Sequence, residues 1–244
     1  MNSGKSHIIS QLQKEILSLQ GFKSNRSEAE TDMGLGIIQE SFPNKVFPLG
    51  AVHELIGQGW EGISAATGFV AGITSKIMRK GGASIWISSG EPVFPVALKL
   101  YGIDPDKIIF IHSQKEKDIQ WALEEALKCE GLAAVIAELR ELSFVSSRRL
   151  QLAVEQSRVT GFILRRDPRN LQTTASVCRW KIDPLPSLLE SNMPGIGFPR
   201  WNIELVKVRN GQPGSWQLEW RAENFHLLHS GITASLIEEE RKTG

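Results

Sequence analysis

Cysteine is nearly absent from this chain: Cys129 and Cys178 are the only two in 244 residues. Their separation matches no metal-ligand spacing, so they read as buried thiols of a reducing compartment and no metal site is expected. Long hydrophobic runs are missing too. None approaches the roughly 20 residues that span a bilayer. The start, Met1-Asn2-Ser3-Gly4-Lys5-Ser6-His7, does not lead into the apolar stretch and small-residue cleavage site of a secretory signal. A cytoplasmic protein without membrane contact is expected. Charge of neither sign prevails, with 28 Lys and Arg against 27 Asp and Glu and a net charge of +1, which excludes a strongly basic protein. Two motifs are incomplete. His53-Glu54 opens a zinc-protease pattern whose second histidine would stand at position 57, where Gly57 is found. Gly195-Ile196-Gly197 lacks the third glycine, the preceding strand and the following helix of a dinucleotide fingerprint.

The hydrophobic fraction of 41% is ample for the core of one α/β domain of about 200 residues with terminal extensions. Within it, Gly57-Gln58-Gly59-Trp60-Glu61-Gly62-Ile63-Ser64 has the spacing of the phosphate-binding loop G-x-x-x-x-G-K-[ST]. In that motif the glycines let consecutive backbone N–H groups cradle phosphate oxygens, the lysine neutralises the β- and γ-phosphates, and the hydroxyl holds Mg²⁺. Gly57, Gly62 and Ser64 stand in place, with Gly59 between them, but Ile63 occupies the lysine position. An apolar β-branched side chain brings neither charge nor donor to a triphosphate. The flanks suit the motif. His53-Glu54-Leu55-Ile56 reads as the strand feeding the loop, and Ala65 to Arg79 as the helix leaving it, with Phe69, Val70, Ile73 and Ile77 at helical spacing.

Ile9, Leu12, Ile16 and Leu19 form one apolar stripe of an N-terminal helix over residues 1–20. A polar, turn-rich linker follows over 21–45. Residues 46–221 form the domain. After the loop helix come a strand Ala83 to Ser88, a turn or helix over 92–101, and a strand Ile108 to Ile111. A helix over 116–129, a strand Leu132 to Ala137, a helix Ser146 to Gln156 and a strand Gly161 to Leu164 continue the alternation. Such an order implies a mainly parallel sheet with helices on its faces. Ala175 to Ile182, Trp201 to Arg209 and Ser215 to Arg221 then read as strands of an antiparallel extension, the last two joined by the turn Asn210-Gly211-Gln212-Pro213-Gly214. Residues 222–244 read as a tail, charged from Glu238 and frayed.

In this order the chain resembles the RecA-type ATPase core and, more closely, the ImuA family of RecA-like proteins. His53-Glu54-Leu55-Ile56-Gly57 is similar to the RecA strand V-E-I-x-G ahead of its loop. Ile85-Trp86-Ile87 and Leu100-Tyr101-Gly102-Ile103-Asp104 are similar to the next strand and to L-G-[VI]-D. Ile109-Phe110-Ile111-His112-Ser113-Gln114 is similar to the strand running into S-Q. Gln120-Trp121-Ala122-Leu123-Glu124-Glu125-Ala126-Leu127 resembles the family segment L-W-A-x-E-E-x-L. Ser147-Arg148-Arg149-Leu150-Gln151-Leu152-Ala153-Val154-Glu155 resembles S-R-R-L-Q-L-A-x-E. Pro199-Arg200-Trp201, then Gly211-Gln212-Pro213-Gly214-Ser215-Trp216-Gln217-Leu218-Glu219-Trp220, resemble P-R-W and G-x-P-G-x-W-x-L-E-W.

The resemblance implies an α/β fold, a RecA-like P-loop core extended by antiparallel strands. It also implies a non-catalytic adaptor in SOS-type, error-prone translesion synthesis after DNA damage. The implied partner is an ImuB-like relative of Y-family polymerases, with RecA, a DnaE-type polymerase and weak DNA binding as further contacts and a nucleoid location during repair. The Walker B aspartate of RecA corresponds to Glu138, and its water-orienting acid falls near Gly90, with Glu91 one place out of register. Phosphoryl transfer is nearly all positioning and charge stabilisation, so without the lysine and that acid neither an ATP cofactor nor hydrolysis is expected. Arg148, Arg149, Arg165, Arg166 and Arg169 follow elements whose loops face DNA in RecA, which makes them candidate contacts to DNA phosphates or to protein. Phe198, Pro199, Arg200, Trp201, Trp216 and Trp220 make up the candidate partner dock. Trp216 and Trp220, four apart, share one side of a strand, so a packed sheet face competes with that role. Two other functions stay open: a divergent P-loop ATPase in DNA repair that borrows a cation, and a SulA-like inhibitor of cell division. The Trp-rich C-terminal match favours ImuA over SulA.

Overall fold

The computed structural model describes residues 32–90, 93–169, 171–188 and 195–231. The expected N-terminal helix, residues 21–31 of the expected linker and the residues beyond 231 lie outside them. The rest of that expected linker is part of the domain: short 3-10 turns at Gly36–Ser41 and Pro43–Lys45, with Met33, Leu35, Ile38 and Phe42 buried in its core. Five short runs of apolar and β-branched residues form parallel strands, as such side chains fit a pleated surface covered on both faces. These are β1 (Val52–Gly57), β2 (Ser84–Ser88), β3 (Ile108–His112), β4 (Ala134–Glu138) and β5 (Thr160–Arg166). Helices α1 (Gly59–Met78), α2 (Glu116–Leu127) and α3 (Phe144–Ser157) alternate with them. The Ser146 N–H donates to Ser143 Oγ at 3.0 Å, which satisfies an end donor and fixes where α3 begins. Four further strands follow, β6 (Cys178–Leu185), β7 (Arg200–Val208), β8 (Gly214–Arg221) and β9 (Asn224–Gly231).

All nine strands make one sheet in the order β3-β2-β4-β5-β1-β6-β7-β8-β9. The parallel block runs through β6, which pairs with β1 in parallel, and β7 to β9 extend it antiparallel. The expected α/β architecture is therefore present, and its parallel block is wider by a strand than the antiparallel reading of Ala175 to Ile182 implied. β9 is the larger correction. The boundary at residue 221 falls inside a hairpin, and the first ten residues of the expected tail are the last strand and its turn. That turn uses no glycine. Ala222 and Glu223 both adopt positive φ (49° and 56°), and buried Lys76 holds the turn by donating to Glu223 O at 2.8 Å and Asn224 Oδ1 at 2.7 Å.

Each face of the sheet has its own core. On one, α2 and α3 bury Ile119, Leu123, Leu150 and Val154 against Val52, Ile87, Val135 and Ile163. On the other, Phe69 of α1 meets Trp180, Trp201 and Phe225 at ring-centroid distances of 5.6, 6.2 and 5.5 Å. Gly68 and Gly72, one helical turn apart, flatten α1 for these rings. A Cβ on Gly72 would lie 2.6 Å from Phe225 and 3.0 Å from Trp220, and one on Gly68 would lie 3.1 Å from Trp201. The cysteines divide: Cys178 is buried as expected, whereas Cys129 is exposed.

His53 is fully buried on the α1 side, stacked on Phe47 at 4.6 Å with its Nε2 2.7 Å from Pro48 O. Burial outweighs that hydrogen bond and lowers its pKa from 6.5 to about 4. Below pH 6.5 the unfolded chain takes up a proton that the folded chain refuses until about pH 4. Stability is therefore unaffected by this group above pH 6.5 and falls as pH drops from there to 4. The full loss comes to roughly 3 kcal/mol. Urea melts at stepped pH should show it, and should show a flatter acid limb for His53→Phe.

Candidate functional site

The carboxyl ends of β4, β5 and β1 lie side by side, which is where ligands bind in open parallel sheets. The octet Gly57 to Ser64 sits there, but it is not a loop. β1 ends at Gly57, Gln58 is the only residue between, and α1 begins at Gly59, six residues before the expected Ala65. The Gly62 N–H donates to Gln58 O at 2.9 Å in the first helical turn and is spent there. The two motif glycines serve packing: a Cβ on Gly57 would stand 2.5 Å from the Gly62 carbonyl oxygen, and one on Gly62 would stand 2.9 Å from the Gly57 carbonyl carbon. Strand end and helix start thus touch backbone to backbone. Ile63 is buried while Ser64 is exposed.

A carboxylate occupies the helix start. Asp167, just past β5 at φ 45°, accepts the Gly59 N–H on Oδ1 at 2.8 Å, and its own N–H donates to Gly57 O at 3.2 Å. A helix N-terminus favours negative charge, and here the chain supplies that charge itself. Glu61 adds a second in the first turn.

Beside the octet, Glu138 closes β4 and lines a cavity of about 330 Å³ whose apolar wall is Trp60, Ile63, Val93, Leu139 and Leu164. Burial pushes the Glu138 carboxyl above its usual range, against the Ser89 backbone N–H and the charges of Arg166 and His112. Gly90 also lines this cavity, and Glu91 lies outside the described residues. Lys76 is near neither. It is twelve residues beyond Ser64 along α1, about 18 Å at the helical rise, and is committed to the β8–β9 turn.

The arginines separate into different roles. Arg165 is fully buried and belongs to the core: Nη1 donates to Glu54 Oε1 at 2.5 Å, and Nε and Nη2 donate to Arg140 O at 3.2 and 3.1 Å. Glu54, equally buried in β1, also accepts from Arg179 Nε and Thr174 Oγ1, both at 2.9 Å. A lone carboxylate in an apolar strand needs such partners, so Glu54 itself was the readable signal, and Arg165 cannot reach DNA or a partner. Its neighbour Arg166 points to the opposite face and lies over the exposed Trp60 ring at 3.7 Å. Arg148, Arg149 and Arg169 are exposed. Arg149 pairs with Glu124 at 2.5 Å, away from Arg166.

The expected dock is also divided. Trp201, Trp216 and Trp220 are buried to 3%, 7% and 3% exposure, and Trp220 Nε1 donates to Leu100 O at 2.9 Å. They belong to the α1-side core. Arg200 pairs with Glu219 at 2.6 Å in the sheet, which leaves Phe198 and Pro199 as the exposed members. The exposed tryptophans are elsewhere, Trp60 at 67% and Trp121 at 68%. Among the described residues, no helix is long and apolar enough to cross a membrane, and no three His, Cys, Asp or Glu residues cluster as a metal site would require.

No family model matches the chain. It is 34% identical over 197 residues to Protein ImuA of Caulobacter vibrioides, in strain NA1000 / CB15N and in strain ATCC 19089 / CIP 103742 / CB 15 alike. The alignment covers 75% of this chain and 80% of each relative. Among solved structures, the crystal structure of the RadB recombinase superposes with a TM-score of 0.53 at 13% identity, over 73% of this chain and 91% of that one. At that identity the likeness is one of fold.

Proposed function

We propose a function for this chain that starts from its kinship: it belongs to the ImuA family. It acts as a non-catalytic adaptor in damage-induced, error-prone translesion synthesis, joining an ImuB-like polymerase relative to RecA or a DnaE-type polymerase. The observation that carries the non-catalytic half is the folded octet. Its Gly62 N–H is spent in α1, its Gly59 N–H is taken by Asp167 at the helix start, and its lysine position is Ile63. Phosphate would meet carboxylate where a cradle is needed, and phosphoryl transfer has little else to work with. What remains is a RecA-like shape with surface to offer other proteins.

Purified protein should hydrolyse ATP no faster than a buffer control, with or without single-stranded DNA. Turnover that disappears in Glu138→Gln, a side chain facing the cavity, would overturn the non-catalytic reading. Glu138 suits this control better than the octet glycines, whose replacement would disturb the strand–helix contact itself. The adaptor half is tested by co-purification of tagged protein with an ImuB-like polymerase relative from damaged cells. Absence of that protein from the complex would reject it.

A further inference from the structure

We infer that two adjoining cavities at the carboxyl ends of β4 and β5 form one docking site for a short acidic peptide segment of a protein partner. Its carboxylate is held among Arg140, Arg166 and Arg169, and a neighbouring apolar side chain sits against Trp60. The inference rests on the adaptor reading and names the chemistry of what is adapted.

The first cavity, of about 400 Å³, is lined by Glu116, Arg140, Glu141, Arg166, Asp167 and Arg169. The second is the Glu138 cavity, and the two share Arg140 and Arg166. Polar and apolar halves are thus continuous. The state of the charges decides the ligand. The carboxylates lining the first cavity have partners of their own: Glu116 Oε1 accepts the Arg140 and Glu141 N–H groups at 2.9 and 3.0 Å, Glu141 Oε1 accepts that of Arg169 at 3.1 Å while its Oε2 lies 3.4 Å from buried Arg165 Nη2, and Asp167 accepts that of Gly59. In the second, Glu138 accepts the Ser89 N–H and its carboxyl is pushed above the usual range by burial. Among the described residues the guanidinium groups of Arg140, Arg166 and Arg169 form no ion pair. They offer planar forks suited to bidentate pairing with a carboxylate.

Interleaved acids argue against a polyanion. Nucleic-acid affinity grows with the number of phosphates neutralised along a continuous basic track, and here Glu116, Glu141 and Asp167 interrupt the track. A peptide with one or two carboxylates can seat them between the arginines and avoid the acids. The apolar half asks for a side chain beside the charge. Trp60 is 67% exposed and its ring carries the Arg166 guanidinium at 3.7 Å, which holds that arginine in place. Tryptophan and arginine set together over an apolar cavity match the composition of interface hot spots.

The test pans immobilised full-length protein against a phage-displayed library of random peptides, with the Arg140→Ala/Arg169→Ala and Trp60→Ala variants in parallel. Wild type should enrich peptides carrying Asp or Glu close to Leu, Phe or Trp. The synthetic consensus should lose about tenfold or more in affinity on the double arginine change, on Trp60→Ala, and on replacing its own carboxylate by the amide. Both Arg140 and Arg169 side chains are exposed, so the double variant should melt with wild type. If it does not, Arg140→Lys/Arg169→Lys, which keeps charge and loses the fork, carries the same comparison. A consensus without a carboxylate, or no consensus, overturns the inference. Oligo(dT) that binds more tightly than the selected peptide at physiological salt also overturns it and makes the arginines phosphate contacts. Failure of the adaptor reading shows elsewhere, as absence of an ImuB-like protein from the co-purified complex or as ATP turnover, whatever the peptides do.

Discussion

Replacing Arg165 by Ala should cost roughly 3–5 kcal/mol of stability, because it strands the Glu54 carboxylate in the interior. Both side chains have no exposed surface. Arg165 also gives Arg140 O two of its donors, so the loop leaving β4 loses its anchor as well. Arg179 Nε and Thr174 Oγ1 would still reach Glu54 Oε2, but Oε1 would face a cavity. Arg169→Ala, at an exposed site, should change stability by less than about 0.5 kcal/mol. Thermal or urea unfolding of the two variants side by side checks this. At about 2–4 °C per kcal/mol for a domain of this size, Arg165→Ala should melt on the order of 10 °C early or fail to fold. Equal melting of the two variants would refute the buried role. A joint Arg165, Arg166 and Arg169 substitution would confuse folding with binding, and only Arg166 and Arg169 suit a binding experiment.

Why adjacent arginines take opposite roles shows how far the sequence could be read. Side chains alternate along a strand, so Arg165 must share a face with Ile163 and Arg166 with Leu164. That parity was available from the sequence. Which face was closed was not, because it depends on β5 lying between β4 and β1, so that Glu54 stands beside Ile163 on one side and Arg179 on the other. The strand and helix order, the mainly parallel sheet and the antiparallel extension were legible because each rests on local periodicity. The octet misled because its spacing is also that of a tight strand-to-helix junction. Gly57 and Gly62 are needed for backbone contact whether or not phosphate is bound, and only Ile63 told against the loop. Asp167 at the helix start comes from a strand more than a hundred residues away, and no local pattern announces it. β9 was missed because Ala222-Glu223 carries no turn signal of its own and is held by Lys76 from α1.

A chain ending at residue 198 should not fold. Such a cut removes β7, β8 and β9, with Trp201, Ile203, Leu205, Trp216, Leu218, Trp220 and Phe225, all buried. Loss of one large aromatic from a core costs about 3–5 kcal/mol. Three tryptophans together therefore match or exceed the whole 5–15 kcal/mol that typically holds a domain. The α1 face shaped by Gly68 and Gly72 would lie bare beside Phe69 and Trp180, and Lys76 would lose both of its acceptors while still set among apolar groups. Near-ultraviolet circular dichroism and a urea titration should show no cooperative transition for the truncated chain. A sharp transition near that of the full chain would refute the core assignment of these tryptophans. The consequence for partner binding is direct: loss of an ImuB-like partner on truncation reports unfolding and does not locate a dock. The exposed pair Phe198 and Pro199 must instead be changed in the intact chain. Phe198→Ser should leave the melting temperature nearly unchanged, since the side chain is exposed and the Arg221 guanidinium lies 5.8 Å from its ring centroid, and it should weaken co-purification if the dock includes this loop. Unchanged co-purification by a folded Phe198→Ser chain would remove the C-terminal loop from the interface and leave Trp60 with its arginines as the surface to test next.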